Sequence, residues 1–155
     1  MADAADATHR KRLDRSLNLL LLIVALEFAL GIWLNLFGRF PSSSSYASAL
    51  SDGSDPILAL HIAVGAILFL GSIGLLVQAW RDPYRGLRYF ALVGVVAVLV
   101  TGLSGSGFIL SGYSNNVDSF AMAIGLLVVV TVYYEALVAL RSHPLAGPSA
   151  SIAVS

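Results

Sequence analysis

Residues 57–80 read ILALHIAVGAILFLGSIGLLVQAW. At about 1.5 Å of rise per residue the run is long enough to cross a hydrocarbon layer as a helix, and it carries no Asp, Glu, Lys or Arg. A run of that length and character marks a transmembrane helix rather than a buried strand or a soluble core helix. It also holds His61, the one histidine inside an apolar run, since His9 and His143 lie near the ends of the chain.

Outward from this run, three more of similar character predict spans at about residues 16–38, 87–112 and 117–141. The expected fold is all-α, an integral membrane four-helix bundle occupying residues 16–141. Before it, residues 1–15 are expected to form a disordered cytoplasmic tail, ending in Arg10, Lys11, Arg12 and Arg15. After it, residues 142–155, with Pro144 and Pro148, read as a second disordered tail. The connection 39–56 is rich in serine and turn residues and reads as irregular. In RDPYRGLR, Asp82-Pro83 and Gly86 break the helix between the second and third spans. Asp118 opens the fourth span, where an acid complements the helix dipole. Ala47-Ser48-Ala49 imitates a signal-peptidase site, but the apolar run before it exceeds the roughly 7–15 residues of a signal core.

Eight of the nine basic residues, Arg10, Lys11, Arg12, Arg15, Arg81, Arg85, Arg88 and Arg141, fall at one end of the expected bundle, and Arg39 at the other. By the positive-inside rule both termini are expected in the cytoplasm, in a multi-pass protein of the cell membrane. With 57% hydrophobic and 12% charged residues, the chain carries about half the charge of an ordinary soluble domain. Four spans consume most of its 155 residues, leaving no length for a soluble catalytic domain, and no nucleic-acid partner is expected. The absence of cysteine excludes disulfides, thiolate nucleophiles and cysteine-held metal clusters.

The polar residues inside the spans are the candidates for function. Glu27 stands near the middle of the first span, where an ionised carboxylate would cost several kcal/mol unless paired or protonated. It aligns at helical spacing with Gly31, Asn35 and Gly38, a stripe suited to the bundle interior. His61 shares a face with Gly65 and Ser72, and the missing side chain at Gly65 leaves room for a neighbouring backbone or a flat ligand. Gly94, Gly102 and Ser106 form one small-residue stripe in the third span, and Thr101, Gly105 and Gly112 an adjacent one. Aligning the spans by their midpoints puts Asn35, His61, Ser106 and Met122 in one layer, roughly 10 Å outward of centre.

In its four-span layout, and in His61 followed by Gly65, the chain resembles small b-type cytochrome membrane bundles. That resemblance implies haem b as cofactor, with His61 and Met122 as a His/Met ligand pair. The chain departs from it in lacking a second intramembrane histidine, so bis-histidine ligation would require His61 from two chains. The leading expectation is a structural or accessory subunit, packing through its small-residue faces into a homo-oligomer or a larger membrane complex. A haem- or metal-binding redox protein using His61 is the alternative, and a proton-coupled transporter, resting on Glu27, the second. Lipid-directed enzyme chemistry would need His61 with Asp52, Asp55 or Asp118, and no spacing specifies it.

Overall fold

The computed structural model describes residues 2–42, 45–51 and 56–142. Among them the chain is all-α, with α1 (Ala2–Phe37), α2 (Tyr46–Ser51), α3 (Pro56–Trp80), α4 (Arg85–Leu110) and α5 (Asn116–Ser142). All but α2 are long and apolar enough to cross a membrane, which makes this a multi-pass membrane protein. In hydrocarbon no water satisfies the peptide groups, so an apolar run of this length is helical whatever its residue propensities. The outward faces agree with that solvent: Leu22, Leu70, Leu103 and Leu127 are 68%, 66%, 62% and 62% exposed.

The ends of the helices are set by local chemistry. Pro56 occupies the first turn of α3, where a missing N–H costs nothing. At the other end of α3 the chain turns through Asp82, whose Oδ1 accepts the Tyr84 N–H at 2.9 Å while its backbone carbonyl accepts from Arg88 at 3.0 Å. Helix α4 ends in a Schellman motif, with Gly112 N–H bonded to the Ile109 carbonyl and Tyr113 N–H to that of Phe108. Gly112 supplies the positive φ of 70° that this ending requires, and Tyr113 follows at 60°. Asn115 then caps α5, its Oδ1 accepting the Val117 N–H at 3.0 Å.

The four long helices alternate in direction and touch as α1–α3, α3–α4, α4–α5 and α5–α1. They close a ring in which α3 and α5 face each other across a diagonal. At the basic end the ring is filled. Leu13, Leu17 and Val24 of α1, Leu75 of α3, Leu87 of α4 and Val129 and Tyr133 of α5 are fully buried there. Tyr133 Oη donates to Ser72 Oγ at 2.7 Å, and Ser72 Oγ to the Leu68 carbonyl at 2.6 Å, a buried relay that ties α5 to α3.

Two expectations are corrected. Residues 2–15 are not a tail: α1 is continuous from Ala2, Leu13 is fully buried, Arg10 donates to the Leu140 carbonyl at 2.9 Å, and Asp14 accepts from Arg141 at 2.8 Å. The cause is Leu13, which continues the buried face of Leu17 and Leu20 one turn past the apolar run. The same contacts place the start of α1 and the end of α5 together. Nor is the first connection wholly irregular, because Ser45 Oγ accepts the Ser48 N–H at 3.2 Å and starts α2, which packs on α3. The expected tail beyond Ser142, and Asp52 and Asp55, lie outside the described residues.

Candidate functional site

The interior face of the half of the bundle away from the basic end is lined with small residues. Gly31, Gly65, Gly105, Ser106 and Ser119 take the places that leucines and Tyr133 hold at the other end, and the four helices leave a cavity of about 620 Å³. Phe40, Phe108 and Tyr113 lie at the end of it farthest from the basic residues, with Phe40 and Tyr113 stacked at 4.7 Å between centroids. Phe28, Ile32 and Leu36 line it while also being exposed on the bundle surface, so the cavity opens toward lipid.

All five residues singled out from sequence, Glu27, Asn35, His61, Ser106 and Met122, line this one cavity. Glu27 is 6% exposed, facing the interior, whereas Asn35 is exposed and contributes to the rim. The sequence reading did not foresee that Glu27 meets His61: Nδ1 of the imidazole lies 3.2 Å from Glu27 Oε1. The two groups are close without the alignment of a hydrogen bond, and neither His61 Nδ1 nor Glu27 Oε2 has a hydrogen-bond partner. Buried polar atoms left unpaired carry a cost of about 1–3 kcal/mol each, so this pair is poised to accept an additional partner.

The gap at Gly65 is filled from within the chain. A Cβ at Gly65 would stand 2.9 Å from Glu27 Oε1, and one at Gly31 3.7 Å from Cε1 of His61. Each helix carries a polar residue with glycine four positions later, Glu27 with Gly31 and His61 with Gly65. Because α1 and α3 are antiparallel, each polar side chain lies over the other helix's glycine. This repeated spacing was the signal by which the pairing could have been read. Helices α4 and α5 interlock in the same way, with Thr101 seated over Gly125 and Met122 Sδ against Gly105. Gly94 is covered by the Tyr133 ring.

Among the described residues no three His, Cys, Asp or Glu side chains group closely enough to hold a metal ion by themselves. Asp118 accepts from Asn115 Nδ2 at 2.7 Å and lies beside Gly107 of α4. Glu135 is exposed. The chain matches no family model, and neither characterised proteins nor solved structures include a significant match.

Proposed function

We propose that this protein is a membrane-embedded cofactor carrier whose cavity binds a haem-like macrocycle, with His61 as its protein ligand. The observation that carries the reading is His61 held beside a buried carboxylate at the wall of a 620 Å³ cavity. A metal-ligating imidazole characteristically gives its second ring nitrogen to a carboxylate, which fixes the ring and raises its basicity. With Nδ1 turned to Glu27, Nε2 is the nitrogen left for a ligand. A bare ion would need more donors than the described residues group together. A macrocycle brings four of its own and asks the protein for one or two. Met122 lines the same cavity from α5, diagonally across from α3, and would offer its thioether as a second ligand. Bound there, such a group would provide one-electron chemistry, while Glu27 orients His61 and the apolar walls exclude water. The positive-inside rule assigns the basic end to the cytoplasm and this cavity to the outer half of the cell membrane.

A second reading has its own observation. Glu27 Oε2 is an unpaired acceptor in a cavity that opens among lipid-facing side chains, which suits an apolar molecule with a hydroxyl head, such as a quinol. Docking as an accessory subunit draws on the small-residue faces. Gly65, Gly71, Gly94, Gly105 and Gly125 each receive a side chain from within the chain, which leaves Gly74 and Gly102 as the span glycines with open space. A transporter reading gains nothing from helix breaks, because all four long helices are continuous.

The test is the visible spectrum and iron content of the detergent-purified protein, before and after dithionite, beside His61→Ala and Glu27→Gln. The haem reading expects a Soret band and about one iron per chain in the native protein. Both should be lost in His61→Ala, and the band should be displaced in Glu27→Gln. A colourless, iron-free native protein overturns it, and an extractable apolar alcohol in that preparation favours the quinol reading.

A further inference from the structure

The basic end of the bundle carries a second recess, independent of the first. Between the early turns of α1 and the last turn of α3 lies a pocket of about 450 Å³ lined by His9, Arg12, Arg15, Ser16, Gln78 and Arg81. His9, Arg12 and Ser16 recur at helical spacing on one side of α1, and Gln78 stands in the last turn of α3 with Arg81 just past its end. Ser16 Oγ donates to Gln78 Oε1 at 3.2 Å, and Gln78 Nε2 to the Gly74 carbonyl at 3.3 Å, which braces the side of the pocket nearer the core.

We propose that this pocket binds a phosphate group, specifically the phosphodiester headgroup of an anionic phospholipid. Three guanidinium groups converge on it, and no carboxylate lines it. Of the nearby acids whose side chains are described, Asp14 is engaged elsewhere, and Asp82 is engaged through Oδ1 while its Oδ2 is buried without a hydrogen-bond partner. Asp14 pairs with Arg141 and accepts from Asn18, and Asp82 Oδ1 accepts the Tyr84 N–H. Among the described residues none of the three arginines has an ion-pair partner. Nε2 of His9 is buried without a hydrogen-bond partner, a donor or acceptor that a phosphate oxygen or hydroxyl would satisfy. Guanidinium forks match phosphate oxygens in pairs. The position completes the argument: the pocket lies beside Leu13 and Leu17, where the apolar run of α1 gives way to its basic residues, at the level where headgroups meet water. The fit is to lipid of the same leaflet, approaching along the groove between α1 and α3.

The experiment uses the full chain in nanodiscs of 3:1 phosphatidylcholine to phosphatidylglycerol, with retained lipid counted by native mass spectrometry after release. Thermal unfolding in detergent is followed with added short-chain phosphatidylglycerol, phosphatidylcholine or inorganic phosphate. Arg12→Gln/Arg81→Gln removes two charges from the pocket, and Lys11→Gln/Arg85→Gln removes two from the same end outside it. The expected result is selective retention of phosphatidylglycerol, reduced roughly tenfold or more by the first pair and less than about twofold by the second. His9→Gln should weaken retention on its own, and it keeps the test open if the double variant fails to fold. Equal losses from both pairs would overturn the pocket in favour of diffuse surface charge. Stabilisation by inorganic phosphate without lipid retention would overturn the headgroup as the source while supporting the phosphate chemistry.

Discussion

Glu27 and His61 show how a residue's neighbour, more than its type, sets what it can do. Each lies over a glycine of the other's helix, so the carboxylate and imidazole approach within 3.2 Å at the cavity wall. The two glycines are not equivalent. A methyl group at Gly31 would stand in ordinary contact with the imidazole, whereas one at Gly65 would press on Glu27 Oε1 at 2.9 Å. Gly31→Ala is therefore expected to be neutral or stabilising, by up to about 1 kcal/mol from helix propensity. Gly65→Ala should displace the carboxylate and disturb whatever the cavity binds. The two variants are compared by unfolding midpoint and by the spectrum or retained small molecule of the purified protein. Equal behaviour at both positions would mean that the Glu27–His61 contact does not form.

At the scale of the element, α1 departs furthest from a simple span. Its 36 residues exceed what the hydrocarbon thickness requires, and the first turns project past the apolar band. They are held by Leu13, packed at the basic end, and by Arg10 and Asp14 reaching α5. Leu13→Ala should therefore cost about 2–5 kcal/mol, as for other buried leucines truncated in a packed core. The measurement is denaturant unfolding in mixed micelles. A mobile segment would give no change. The extension also brings Arg12 and Arg15 beside Arg81, so the basic pocket exists only because α1 continues as a helix to that level.

Over the whole molecule the bundle is asymmetric along its axis. One half is closed by leucines and the Tyr133–Ser72 relay, and the other is open around small residues and the Glu27–His61 pair. The closed half carries eight of the nine basic residues. The open half holds the cavity proposed to bind a cofactor, and the packed end beside it can keep open a space that would otherwise collapse. The charge asymmetry predicts an orientation: reporter fusions after Ser142 and at Ser42 should report opposite sides, with Ser142 cytoplasmic. Fusions reporting the same side would break the four-span topology, and a reversed result would put the cavity in the inner leaflet.

The sequence alone determined that four helices cross the membrane and roughly where, because hydrocarbon admits only runs whose peptide groups are internally satisfied, a local property. It also marked Glu27 and His61, since polar groups in such runs must be protected. What it did not supply was register. Aligning spans by their midpoints set His61 level with Asn35, whereas the packed bundle sets it against Gly31, about one helical turn deeper. Sliding two apolar helices by one turn changes little in their contact with lipid. The register is decided instead by which side chains fit into which glycine gaps: Glu27 over Gly65, Leu20 against Gly71, Thr101 over Gly125. The helical path of residues 2–15 and the basic pocket likewise depended on contacts with α3 and α5, distant in sequence, and only the tertiary structure brings those together.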